Sequence, residues 1–259
     1  MNKQTLSMAI LAHHQIEDYF FSSISLMHQH IGENVRAYVT GVGTHSLNFL
    51  LVIDVNDQTA EDLQKGIRLL DERTYVPFSI IVINPDSQIL AVIQQAGFVP
   101  DPDSVVTAMQ LNLMNWQRNE VLAVEYDIRC VDSCLDDWAI PVERAFETGD
   151  FISGQYQKCH QAALDAGKYL QHYALYVDGQ SVCSLTLSRL DNIVRLDEIG
   201  TVVEKQGRGY ASALINHVLD EAKQCGATAC YLDASREGDG LYRHIGFKPL
   251  FEYHGFIRE

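Results

Sequence analysis

Residues 201–222 read TVVEKQGRGYASALINHVLDEA, a β-rich segment that enters a loop holding Gly207 and Gly209 and runs straight into a helix. Glycine lets the backbone approach a ligand closely, and the first turn of a helix leaves N–H groups unpaired at the positive end of its dipole. Such a loop suits a phosphate. The amides of Gly207, Arg208, Gly209, Tyr210 and Ala211 can ring a pyrophosphate, with Arg208 adding charge. A dinucleotide site competes with this reading, because GRGYAS approximates GxGxxG and Asp233 stands 24 residues beyond Gly209, near a ribose-binding acid. Against it, Ser212 replaces the third glycine, the polar residues 204–206 part the strand from the loop, and only 26 residues follow Asp233.

The elements that must hold the loop follow from hydrophobic pattern. Residues 193–203 lead in as a strand, and residues 209–225 lead out as a helix with Ala211, Leu214, Ile215, Val218, Leu219 and Ala222 at spacings of three and four and Gly226 as the stop. Upstream, strands are predicted over 121–129, 173–177 and 181–187, the last two joined by a hairpin at Asp178 and Gly179, with a mostly helical region over 136–166. Downstream come a strand over 229–233, a short helix around 241–245, Gly246, Phe247 and a closing strand. The first half predicts one long or two shorter helices over 6–30, strands over 35–42, 47–54 and 78–83, a helix from Asp57 or Thr59 to about 72, a helix over 87–96, and a strand over 105–113. Trp116 and the polar residues 117–120 set the expected boundary between domains 1–116 and 117–259.

The two halves repeat one order: strand, loop, amphipathic helix, strand, short helix, Gly-Phe, strand. Gln58 to Gly97 spans 39 residues and Gln206 to Gly246 spans 40, which points to an internal duplication.

Composition narrows the chemistry. The 259 residues carry 19 Lys and Arg against 34 Asp and Glu, a net charge of −15, shared by both halves. Lys and Arg supply most of the affinity for nucleic acid, so binding over the whole surface is not expected. The longest apolar runs, such as residues 49–53, are far short of a membrane span, and residues 8–12 are a poor secretory signal. The six cysteines, without a CxxC pair, read as reduced thiols of a cytoplasmic protein. His28 with His30, and His217 with Glu221, do not make a metal ligand set, so no metal is expected.

At the phosphate loop the sequence resembles the GNAT superfamily of acyl-CoA-dependent N-acetyltransferases, whose pattern [R/Q]xxGx[G/A] is matched by Gln206, Gly209 and Ala211. LYRHIGF, residues 241–247, resembles the family's LYxxxGF ending, and LDASREGDG between the two motifs is similar to its short strand and loop. The resemblance covers about 121–259; Val203 departs from it where many members have proline. It implies an α/β (α+β) chain of two tandem GNAT-like domains, each a mixed, largely antiparallel sheet flanked by helices. It also implies a slot for pantetheine between the fourth and fifth strands of the second domain. The main chain of residues 199–203 (Ile199, Thr201, Val202 and Val203) would hold the acyl carbonyl and pantetheine of acetyl-CoA, with 207–211 on the pyrophosphate. The first half has DVNDQTAED at residues 54–62, four acids and no glycine, where its own phosphate loop would lie, so one active and one silent domain are expected.

The implied reaction is attack of a primary amine, on a small molecule or peptide, on the thioester. Tyr242 aligns with the tyrosine that protonates coenzyme A in this family. Asp233 aligns with a strand-five glutamate that serves as base in some members, with Asp197 and Glu198 as rival carboxylates and a structural role for Asp233 as the alternative. A non-catalytic acyl-CoA-binding or sensing protein is the second reading of the same motifs.

Overall fold

The computed structural model describes residues 3–118 and 126–258, so residues 121–125 of the strand expected over 121–129 lie outside the described residues. The chain divides into two compact units, Met1–Ser23 with Met109–Leu250, and Ile24–Ala108 with Phe251–Glu259. This differs from a single cut after residue 116. Trp116 is buried in the core of the larger unit, where its Nε1–H donates to the Ile245 carbonyl at 3.2 Å, so it belongs to a packed interior rather than to a linker.

The opening helix α1 (Lys3–Ile24) ends earlier than the predicted helix over 6–30. Residues of that helix instead form strand β1 (Met27–Ile31), because β2 (Val35–Val39) offers an antiparallel ladder and Gly32 turns between them with φ +67°. Strand β3 (Asn48–Val52) continues the meander, helix α2 (Thr59–Arg73) crosses over, and β4 (Ser79–Ile83) lies parallel to β3. Helix α3 (Ser87–Gln95), capped by Asp86 accepting from the Ile89 N–H at 2.8 Å, leads to the long strand β5 (Val99–Asn112).

Strand β6 (Asp127–Cys130) is followed by α4 (Asp136–Phe146) and α5 (Gly149–Asp165). The mostly helical region expected over 136–166 is two helices, divided where Glu147 and Gly149 take left-handed φ values of +51° and +74°. Strands β7 (Leu170–Val177) and β8 (Gln180–Leu190) form the expected hairpin across Asp178 and Gly179, both with positive φ. Strand β9 (Ile193–Thr201), a 3₁₀ turn (Val203–Lys205), helix α6 (Tyr210–Gln224), β10 (Ala229–Ala234), helix α7 (Asp239–Ile245) and β11 (Lys248–Ile257) complete the chain.

Each unit therefore holds an antiparallel three-strand meander, a helical crossover to a parallel strand, and a short helix. The strand order is β1-β2-β3-β4-β11 in the smaller unit, where β11 contributes Phe251–Ile257, and β5-β10-β9-β8-β7-β6 in the larger, where β5 contributes Met109–Asn112. The last slot in each sheet is filled by a strand from the other half of the sequence, which explains why a cut at 116 cannot separate the units.

The pleat sorts the larger unit's faces. Cys183, Leu185 and Leu187 of β8 pack with Leu214, Val218 and Leu219 of α6, while the intervening Ser184 donates to the Trp138 carbonyl of α4 at 2.8 Å. No helix among the described residues is long and apolar enough to cross a membrane.

Candidate active site

Strands β9 and β10 pair in register only at Ile193–Ala229, Val194–Cys230 and Arg195–Tyr231. Beyond that point they part, and Leu196 to Ile199 face Leu232 and Asp233 across a cleft of about 870 Å³. The floor of the cleft is the loop Gln206, Gly207 and Gly209 with Tyr210 and Ala211, and its far wall is Gly238, Leu241 and Tyr242. This volume falls within the range of about 300–1,000 Å³ typical of ligand sites.

Gly207 and Gly209 have φ values of +71° and +81°, and a Cβ at either would project into open space, so glycine is required there by the backbone rather than by crowding. The first helical bond of α6 runs from the Ala213 N–H to the Gly209 carbonyl at 2.9 Å. The amides of residues 209–212 precede that bond at the positive end of the helix, a donor set suited to a diphosphate. Arg208 lies outside the cleft lining, its guanidinium against the Glu204 carbonyl at 3.4 Å. Val202 and Val203 also lie outside it, and the Val203 carbonyl accepts from the Gln206 N–H at 3.2 Å, because the chain turns into the 3₁₀ helix instead of extending strand β9. Lys205, Ser212, Ser235 and Glu237 line the cleft although the sequence reading gave none of them a site role.

The corresponding loop of the smaller unit is built differently. Its amides are already taken: Val55 N–H by Asp54, Asn56 N–H by Thr59 Oγ1 at 2.9 Å and Gln58 N–H by Asn56 Oδ1 at 3.0 Å. Strands β3 and β4 stay in register from Phe49–Ser79 to Val52–Val82, leaving no slot between them.

The carboxylates of the cleft are placed by the backbone of β9. Asp197 pairs with Thr186 and Gly200 with Ser184, so Glu198 and Ile199 together face the single residue Leu185 in a β-bulge. Glu198 sits in it with φ +48°, a conformation that costs a non-glycine residue about 1–3 kcal/mol. Strict alternation would send its side chain to the α6 face with Val194 and Leu196; the bulge turns it toward α5, where the Tyr156 hydroxyl donates to Oε1 and His160 Nε2 lies 4.0 Å from the same oxygen. Burial and the neighbouring Asp197 charge push the Glu198 carboxyl up to about 8, against the hydrogen bond from Tyr156 and the Arg195 charge.

Asp233 has the opposite character. Arg195 Nη2 lies 2.6 Å from its Oδ2 and His13 Nε2 lies 3.0 Å from its Oδ1. Although burial opposes it, the Arg195 and His13 charges hold Asp233 far below the usual carboxylate range. Arg195 is itself fully buried and also grips Asp197 at 2.9 and 3.0 Å from Nε. Burial pushes Asp197 up to about 6 against that pairing. Helix α1 completes the cluster with Glu17, and the ligand-type atoms of His13, His14 and Glu17 lie within 4.8 Å of one another. The sequence reading of the histidines did not anticipate that grouping.

Tyr242 is buried in the wall of the cleft, seated against Gly238, where a Cβ would come within 2.7 Å of its ring. Burial, with the Cys183 thiol and Asp197 nearby, raises its hydroxyl well above the ordinary tyrosine value, which keeps it protonated.

Residues 144–254 match the family model described as an acetyltransferase (GNAT) domain. No curated protein matches. Among solved structures, a GCN5-related N-acetyltransferase from Kribbella flavida aligns with a TM-score of 0.67 at 12% identity, covering 95% of each chain. A GCN5-related N-acetyltransferase from Sphaerobacter thermophilus aligns at 0.61 and 17% identity, over 86% of this chain and 76% of that one. A tandem GNAT protein from the clavulanic acid biosynthesis pathway aligns at 0.58 and 12% identity, over 86% of this chain and 77% of that one. The chain thus has the fold of these GNAT proteins, and residues 144–254, which match the family model, contain the parted strands, the glycine loop, Glu198 and Tyr242.

Proposed function

We propose that the protein transfers an acetyl group from acetyl-CoA to a cationic primary amine, with Glu198 as general base and Tyr242 as general acid. The observation that carries this reading is the parted β9–β10 pair opening directly onto the unpaired amides at the start of α6. Those amides would hold the diphosphate of acetyl-CoA, and the free edge of β9 at Ile199 and Thr201 would take the pantetheine arm as a missing strand. Acetyl-CoA supplies the activated acyl group when bound.

An amine attacks only when neutral, so its proton must leave, and a base works best with a pKa near the working pH. Glu198, raised to about 8, meets that condition; Asp233, locked between Arg195 and His13, does not. In this reading Asp233 positions Arg195 and the strand rather than taking a proton. Backbone N–H in the bulge near Ile199 would polarise the carbonyl, and Tyr242 would protonate the departing thiolate. The carboxylates Asp197, Glu198, Asp233 and Glu237 outnumber the single amine of Lys205 in the lining, which favours an acceptor that arrives as a cation. The smaller unit, with its loop amides consumed, acts as a silent partner domain.

Isothermal titration with acetyl-CoA tests the site directly. Gly209→Glu puts a side chain into the diphosphate's space, adds negative charge and strains a φ of +81°, and should weaken binding by about tenfold or more. Wild-type affinity in that variant would remove the site. Tyr242→Phe should leave acetyl-CoA affinity unchanged while lowering kcat about tenfold in a thiol-release assay over an amine panel. An unchanged kcat would exclude Tyr242 as the acid, and wild-type binding without turnover on any amine would favour a sensing role.

A further inference from the structure

Behind Glu198 lies a chain of side chains that the proposed transfer does not use. His160 of α5 and His172 of β7 are both fully buried, with His160 Nδ1 2.8 Å from His172 Nε2. His172 Nδ1 lies 2.8 Å from Asp132 Oδ1, which also accepts the His172 backbone N–H at 2.7 Å. Asp132 is one-third exposed, so the chain runs from the cleft to water through the protein interior. At its inner end, His160 Nε2 is buried without a hydrogen-bond partner among the described residues and sits 4.0 Å from Glu198 Oε1. An orphaned ring nitrogen is costly unless something uses it.

The tautomers follow from the partners. Burial favours the neutral form of Asp132, but the hydrogen bonds from His172 outweigh it and hold the group below the ordinary aspartate value, as a carboxylate. A carboxylate at Oδ1 requires a proton on His172 Nδ1, and in the arrangement the outlet needs, His172 Nε2 is the acceptor toward His160. His160 must then carry its proton on Nδ1. Burial, followed by His172, lowers His160 well below the ordinary histidine range, so the ring is neutral and its Nε2 lone pair is directed to Glu198.

We propose that Asp132, His172 and His160 form a proton outlet for Glu198, draining the amine's proton to water behind the cleft while cofactor and acceptor block its mouth. The inference rests on Glu198 being the base. The amine proton passes to Glu198, then from Oε1 to His160 Nε2. His160 gives its Nδ1 proton to His172 Nε2, His172 gives its Nδ1 proton to Asp132, and Asp132 releases it to water. One proton enters and one leaves; after product release, with the cleft open, a proton from water passes back from Asp132 through His172 and His160 to Glu198 and leaves by the mouth, which restores the starting tautomers. The first hop needs Glu198 and His160 to approach by about 1 Å, since a hydrogen bond spans roughly 2.7–3.2 Å.

Other titratable groups around the path are Cys130 of β6, whose thiol donates to Asp132 Oδ2 at 3.3 Å, Tyr156 and Cys159 on α5, and Asp197 and Arg195 on β9; Trp138 of α4 and Phe20 of α1 pack against the His160 ring. The first test needs no acceptor. In long-range ¹H–¹⁵N spectra of histidine-labelled protein, both rings should show bare Nε2 and protonated Nδ1, and the His160 Nε2 signal should shift as Glu198 titrates near pH 8. A proton fixed on His160 Nε2 would close the outlet and overturn the inference.

The second test uses acetyl-CoA with the best amine of the panel. Asp132→Asn and His172→Asn should each lower kcat about tenfold, less than the roughly 10²- to 10⁴-fold of a base itself, with KM for both substrates unchanged. Asp132→Glu, which can still take a proton, should recover to within about twofold of wild type. Wild-type kcat in both Asn variants across roughly pH 6.5–9, with Glu198→Gln impaired, would overturn the outlet alone. A wild-type rate in Glu198→Gln would remove the base assignment and the outlet with it.

Discussion

Glu198→Gln should lower kcat by about 10²- to 10³-fold with acetyl-CoA affinity intact, and should abolish the ascending limb of the pH profile. The wild-type limb should centre near pH 8, because burial and the Asp197 charge keep Glu198 protonated below that pH. Within the limb, each pH unit lost removes about tenfold in active base. The same substitution should stabilise the fold. A carboxyl whose native pKa lies above its unfolded value of 4.5 destabilises progressively as pH rises from there to about 8, since the unfolded chain ionises first. Glutamine keeps the hydrogen-bond acceptor for Tyr156 without the charge, so the variant's advantage in urea midpoint should widen over that window. A slow but no more stable variant at pH 8 would contradict the raised pKa; a fast one would contradict the role.

The largest loss of stability is expected from Arg195→Met. Methionine fills similar space, but Asp197, Asp233 and Glu17 lose the guanidinium that compensates them in a fully buried cluster. Breaking a buried pair from one side costs about 3–5 kcal/mol, mostly through the charge left behind. The cost should be greatest near pH 8 and shrink toward pH 5, where the abandoned carboxylates can protonate. In the wild type the sign is opposite for Asp233: its lowered pKa contributes stability above about 3.8 that is lost only as pH falls further. Urea denaturation at both pH values checks this, and a loss under about 1 kcal/mol at pH 8 would mean that the cluster contributes specificity rather than stability. Arg195 also lowers Glu198, so the variant's rate limb should move above pH 8.

Local chemistry was legible where a residue's neighbours in sequence are also its neighbours in space. Gly207 and Gly209 needed positive φ, α6 buried the face its spacing of three and four described, and Asp178–Gly179 made the hairpin. The four acids and missing glycine of 54–62 were readable beside the glycines of 207–211, but the capture of the 54–62 amides by Thr59 and Asn56 appeared only in the structure. The helix expected to reach residue 30 failed for a long-range reason: a ladder with β2 outweighs helical pattern in MHQHI.

What the sequence determined by itself was the glycine loop between strand and helix, the alternation of strands and helices, and the repeat of that order in both halves. Only the tertiary structure decided which unit each end of the chain joins and how the three carboxylates of the cleft differ in burial and in charged neighbours. Asp197, Glu198 and Asp233 look alike as letters, but Arg195 and His13 hold Asp233 ionised, Arg195 grips Asp197, and a one-residue bulge turns Glu198 off its alternating face into a buried pocket beside His160. A carboxyl's pKa is set by burial and by charges brought from distant parts of the chain, and neither can be read from its own neighbours in sequence.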